Sequence, residues 1–126
     1  MSKEVIAVLV FDFFIVAIPV LLYLYPPKDI NGLLGYRTGR SMKSIENWTF
    51  SQKYFAKRWM IVPVIVVITQ ITFVISGSID LSVGTDDEEA PPILPIISIV
   101  EFTVGTLFCI IDTELQLKKN ENGIQP

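Results

Sequence analysis

The chain has no histidine and a single cysteine, Cys109, among its 126 residues. One cysteine cannot close an internal disulfide. Without imidazole there is no Cys/His metal set of the common kinds. A Ser–His or Cys–His nucleophile pair is excluded as well. Charge is also scarce. Asp, Glu, Lys and Arg make up 18% of the chain, against roughly 25% in soluble domains. What charge there is avoids three long stretches and collects between them. The sequence therefore points to no metal, no cofactor and no direct nucleic-acid partner. A membrane enzyme would have only two buried carboxylates as acid–base candidates, and that class ranks last.

What the chain does have is hydrophobic length. Residues 5–25 ("VIAVLVFDFFIVAIPVLLYLY"), 59–76 ("WMIVPVIVVITQITFVIS") and 92–111 ("PILPIISIVEFTVGTLFCII") each approach the 20 or so apolar residues that a spanning helix needs. The predicted fold is all-α: an integral membrane three-helix protein forming a single membrane domain over residues 1–119, with a disordered tail at 120–126. The first stretch reads as a retained helix rather than a signal peptide. Its apolar run is too long, it contains Asp12, and it ends in Tyr-Leu-Tyr-Pro-Pro. Pro19 and Pro63 are expected to kink their helices.

Lysine and arginine set the expected orientation. The connector 26–58 holds Lys28, Arg37, Arg40, Lys43, Lys53, Lys57 and Arg58, whereas 77–91 holds none and carries Asp80, Asp86, Asp87, Glu88 and Glu89. The first connector and the C-terminus are expected in the cytoplasm, and the N-terminus and the acidic connector outside. The acidic connector lacks the alternating ligand spacing of a calcium loop.

The cytoplasmic connector divides in two. Its first part, with Gly32, Gly35 and Gly39, reads as a glycine-rich loop. Its second part reads as an amphipathic interfacial helix with Ser44 as N-cap and Glu46 in the first turn. Ile45, Trp48, Phe55 and Trp59 fall on one face, with Lys53, Lys57 and Arg58 near the membrane. That face could meet lipid headgroups or cover a binding site. Glycine backbones and the forks of Arg37 and Arg40 suit a carboxylate or phosphate, and they suit equally a turn whose arginines reach lipid phosphates.

The run Asn31-x-x-x-Gly35-Tyr36-Arg37-Thr38, with Trp48 opening the following helix, resembles the signature of the SdpI family of small bacterial multi-spanning membrane proteins. Ser41 and Ser44 fit the hydroxyl-rich stretch between. The chain departs from the family in having three spans where the longer immunity members have more, and Ala56 where a glycine is common. The resemblance implies a non-enzymatic protein of immunity or self-protection type, conferring resistance to a membrane-active antimicrobial peptide. It also implies signalling, in some members, through a cytoplasmic repressor. It points to Asn31, Gly35, Tyr36, Arg37, Thr38, Arg40 and Trp48 as ligand- or partner-binding residues. Arg37 is expected at the centre of the loop, held by Asn31, loop carbonyls, Asp112 or Glu114.

Asp12 and Glu101 lie inside the first and third stretches, where an aspartate at the bilayer centre costs at least about 2.5 kcal/mol. Gln70 of the second stretch falls at a depth similar to Asp12. The three form an expected intramembrane polar site, read either as interhelical glue or as a place for a proton or cation. The second reading makes the protein a subunit of a small proton- or cation-linked transporter or channel. A homo-oligomer would then be needed, because three helices rarely enclose a pathway. Gly105 and Cys109 could allow close helix approach.

Overall fold

In the computed structural model, described over residues 3–76 and 93–123, four helices follow one another: α1 (Lys3–Leu24), α2 (Ile45–Trp59), α3 (Ile61–Ile75) and α4 (Ile93–Glu121). A short 3-10 turn at Ser41–Lys43 precedes α2. The acidic connector 77–91 and residues 124–126 lie outside the described residues. Three helical stretches are long and apolar enough to cross a membrane: Val5–Leu24, Ile45–Ile75 and Ile93–Glu121. The described residues are all-helical, and the protein is a membrane protein.

The second stretch joins α2 to α3. The break between them has a covalent cause. Pro63 has no N–H to offer the carbonyl of Trp59, and its ring crowds that carbonyl. The ladder of hydrogen bonds therefore lapses for a residue while the backbone at Met60 stays helical, with φ −61° and ψ −20°. Ser44 caps α2 as the sequence predicts, its Oγ accepting from Asn47 N at 3.1 Å.

α2 and α3 run antiparallel to α4 along almost its entire length. Asn47 Nδ2 donates to Glu121 Oε1 (2.9 Å), Tyr54 OH to Asp112 Oδ2 (2.9 Å), Trp59 Nε1 to Thr106 Oγ1 (2.9 Å) and Gln70 Nε2 to Ser98 Oγ (2.9 Å). Between the last two pairs Gly105 meets Val62. A Cβ at residue 105 would stand 2.7 Å from Val62 Cγ1, so glycine permits the backbones to close here. α1 covers the pair with a stripe that includes Asp12, Ile15, Pro19 and Leu22.

This arrangement changes two expectations. α2 buries Trp48, Ser51, Gln52, Phe55 and Ala56 within the protein, so its aromatic face packs mainly on neighbouring elements and not on headgroups. Ile45, expected on the same face, is exposed. The tail expected to be disordered from residue 120 is helical at Asn120 and Glu121, because α4 continues well past residue 111 to give α2 a partner. An aromatic column ties the layers together: Tyr36 on Phe55 (4.7 Å between centroids), Phe55 on Trp59 (5.1 Å), Trp59 on Phe102 (5.9 Å) and Phe102 against Phe11 (6.1 Å).

Candidate functional site

The loop between α1 and α2 is held by side chains that bond to its own backbone. Asn31 Oδ1 accepts from Leu33 N (2.9 Å) and Leu34 N (2.7 Å), while its Nδ2 donates to Asp29 O (3.0 Å). Arg37 Nη1 donates to Gly32 O across the same turn. The loop is drawn in at its neck, where Gly35 has φ +98°. A Cβ there would lie 2.4 Å from Gln52 Oε1 and 2.7 Å from Pro27 Cγ. Glycine is required at residue 35 on both counts.

Gln52 is the residue that sequence reasoning missed. It is 1% exposed. Its Oε1 accepts from Tyr36 N (2.7 Å) and its Nε2 donates to Tyr36 O (2.7 Å). One side chain thus satisfies both backbone groups of a buried loop residue. Only its place on the same helical face as Trp48 and Phe55 hints at this, and a glutamine in an amphipathic helix is ordinarily a solvent residue.

Beyond the neck, the loop docks on α4 first at Glu114. Glu114 Oε1 accepts from Tyr36 OH (2.8 Å) and Thr38 Oγ1 (2.5 Å), and Arg40 Nε stands 3.4 Å from Glu114 Oε2. Tyr36 OH also lies 3.3 Å from Ile110 O. Burial, and then the neighbouring Glu114, push the Tyr36 hydroxyl well above its ordinary value of 10.0. Ser41 is fully buried behind this hub, its Oγ accepting from Thr38 N (2.9 Å) while Thr38 Oγ1 accepts from Ser41 N (3.1 Å). Further out, Glu121 receives Arg40 and Asn47, with Lys43 Nζ at 3.7 Å. The Asn47 amide, helped by these cations, holds the Glu121 carboxyl below its usual 4.5.

The expected loop site is therefore one connected structure with its weight redistributed. Tyr36, Thr38 and Arg40 converge on Glu114. Arg37, expected at the centre, is exposed and bonds only its own loop's carbonyl. Neither Asp112 nor Glu114 holds it; Asp112 pairs with Arg58 (3.3 Å) and Tyr54. Trp48, on the face that could meet headgroups or cover a binding site, is 0% exposed and donates its indole N–H to Pro27 O (2.8 Å). It fastens the end of α1 to α2.

In the membrane half, Gln70 is the hinge of the polar layer. Its Nε2 donates to Asp12 Oδ1 (2.8 Å) and to Ser98 Oγ, and Ser98 Oγ donates onward to Leu94 O (2.9 Å). One amide thus links α1, α3 and α4. The structure brings Asp12 and Gln70 together and adds Ser98. It does not bring Glu101 into the bonded set: Glu101 Oε2 is buried with no hydrogen-bond partner among the described residues.

Both sites fall on, or border, the part of the chain that matches a known family. Residues 28–111 match the SdpI/YfhL protein family. The chain belongs to that family. The match begins at Lys28, takes in the loop from there on and α2, and ends just before the Asp112–Glu121 extension on which the loop docks. No curated protein and no solved structure matches the chain. In this SdpI/YfhL family member, then, the family segment supplies Tyr36, Thr38 and Arg40, and the acceptors Glu114 and Glu121 lie beyond it.

Proposed function

We propose that this SdpI/YfhL family member is a non-enzymatic binding protein of the bacterial membrane that protects its own cell against a membrane-active peptide toxin. It stands with its N-terminus outside and its C-terminus in the cytoplasm. The observation that carries this reading is the loop of residues 26–44. Within it Asn31, Tyr36, Arg37, Thr38, Arg40 and Ser41 bond to loop backbone, to Gln52 or to Glu114. Such a loop is a preformed surface suited to recognition. Signalling through a cytoplasmic repressor would use this same face, made jointly by the loop, α2 and the end of α4.

Deleting the chain should sensitise cells to one secreted peptide and leave ion flux unchanged. Restoring the parent sequence should restore protection. Equal sensitivity with and without the chain, across the peptides its host meets, would remove the immunity reading. The orientation has its own test, with single cysteines in a Cys109→Ser background. Asp86→Cys should react with an impermeant maleimide added outside, and Lys43→Cys should react only after the membrane is opened. The reverse pattern would overturn the assigned sides.

A second reading has a specific observation in its favour. The unbonded Glu101 oxygen lies in the same bundle as the Asp12–Gln70–Ser98 chain, and a buried carboxylate without a partner is costly in hydrocarbon. Transport of a proton or small cation by an oligomer would give that oxygen a role. Liposome flux that follows a pH or cation gradient, and is lost in an Asp12→Asn, Glu101→Gln double variant, would favour transport over protection.

A further inference from the structure

The end of α1 and the flank of α2 enclose a cleft that backs onto the neck of the loop, sharing Pro27 and Gln52 with it. Its apolar side is Leu24, Tyr25, Pro26 and Pro27, and Lys28 and Lys53 stand at its rim. Leu24 and Tyr25 are 58% and 76% exposed. They continue, without interruption, the apolar surface of the membrane-spanning α1. Among the described residues the ion pairs of this region go to other cations, Arg40, Lys43 and Arg58, and neither Lys28 nor Lys53 enters one.

The level of the cleft relative to the bilayer follows from the helices. Lys53 lies six residues before Trp59, about 9 Å along the axis. Trp59 opens the apolar run that ends α3 at Ile75, so Lys53 stands beyond that run, on its polar side. Lys28 follows the last apolar residues of α1. Both ammonium groups thus fall at headgroup height, above an apolar wall that descends into the acyl region. Such a cleft has the polarity of an amphiphile: positive at the top, apolar below.

We propose that this cleft binds one anionic phospholipid of the leaflet at which α1 ends, with its phosphate between Lys28 and Lys53 and the upper part of an acyl chain against Leu24 and Tyr25. Lysine suits this role as a mobile point charge that can follow a headgroup. The site is independent of any toxin and would be occupied in the resting protein. The bound lipid would also brace the start of the loop, because Pro27 in its wall is the acceptor for Trp48.

The test is lipid retention by the full chain in nanodiscs of phosphatidylcholine with a minor fraction of phosphatidylglycerol, read by native mass spectrometry. The parent should retain about one phosphatidylglycerol per chain in preference to phosphatidylcholine. Loss of one ammonium near a membrane surface costs about fivefold in affinity. Lys28→Gln with Lys53→Gln should therefore lower the preference by about twenty-fivefold, and Lys28→Arg with Lys53→Arg should keep most of it. Both residues are exposed, so folding should survive, which a thermal melt confirms. Lys118→Gln with Lys119→Gln removes the same charge away from the cleft and should leave the preference intact. If that pair lowers it equally, the attraction is diffuse and the site does not exist. If the parent shows no preference, or if millimolar inorganic phosphate displaces the lipid, the apolar wall plays no part and the lipid assignment fails. If both lysines take up a cytoplasmic protein in place of lipid, the occupant is wrong.

Discussion

Glu114→Ala should loosen the loop's hold on α4 and lower stability by about 3 kcal/mol or more. Hydrogen bonds to an ionised group contribute roughly 1.5–3 kcal/mol each. Two donors, Tyr36 OH and Thr38 Oγ1, would lose their acceptor at once. The Arg40 contact adds little, since both partners are about a third exposed and solvent screens them. Glu114→Gln keeps one acceptor oxygen and should fall between parent and Ala. Arg37→Lys should stay within about 0.5 kcal/mol of the parent, the usual range for a surface change, because Arg37 meets only the Gly32 carbonyl. Melting temperature in detergent, with hydrogen exchange over residues 28–44, reads all three. A Glu114→Ala protein that melts with the parent would mean that the contacts at Gln52 and Glu121 suffice to hold the loop.

The same hub predicts an alkaline transition. Tyr36 has a folded-state value raised above the 10.0 of an unfolded tyrosine, chiefly by burial and then by Glu114. The unfolded chain therefore loses this proton at lower pH than the folded chain does. Stability from Tyr36 is fully present below pH 10 and declines as pH rises above it. Tyr36→Phe should start less stable, lacking the bond to Glu114, and should lack this share of the decline.

The sequence made the three spans and the capped start of α2 legible because each has a local cause: apolar length in the first case, Ser44 before an amphipathic run in the second. The loop was legible as a unit but not in its wiring. Asn31, Gly35 and Thr38 stand where the signature places them, yet Gly35 abuts Gln52, 17 residues along the chain, and Thr38 bonds Glu114, 76 residues away. No periodicity encodes which carboxylate an arginine will meet. Asp112 and Glu114 were both in view as acceptors, and tertiary packing gave Glu114 to Tyr36, Thr38 and Arg40 and left Arg37 to its own turn. The extension of α4 did leave a trace. Cys109, Thr113 and Leu117 are buried at four-residue steps, a helical stripe that continues beyond residue 111 among charges that mark the end of a span but not the end of a helix. Trp48 shows the opposite failure. An aromatic beside a membrane is ordinarily an interfacial anchor, and only the approach of Pro27 turns its indole inward.

Gly35→Ala should have the largest effect of any single methyl added to this loop. An L-residue at φ +98° sits where only glycine is at ease, at roughly 1–2 kcal/mol. The new Cβ would also meet Gln52 Oε1 at 2.4 Å and Pro27 Cγ at 2.7 Å. Pro27 cannot swing aside, because its ring is rigid and its carbonyl holds Trp48. Gln52 can move, but only by leaving Tyr36 N and O, two buried backbone groups whose loss of partners costs about 1–3 kcal/mol each. The expected loss is about 3 kcal/mol or more. Gly39→Ala is the control. Residue 39 has nothing within 4 Å of its added Cβ and no positive φ, so it should be nearly silent. Coupling separates the two causes. Gln52→Ala alone should destabilise by freeing Tyr36, and adding Gly35→Ala to it should cost only the backbone conformation and the Pro27 contact, less than Gly35→Ala costs in the parent. Strict additivity of the two changes would mean that Gly35 and Gln52 do not share a site, and the neck of the loop would have to be redrawn.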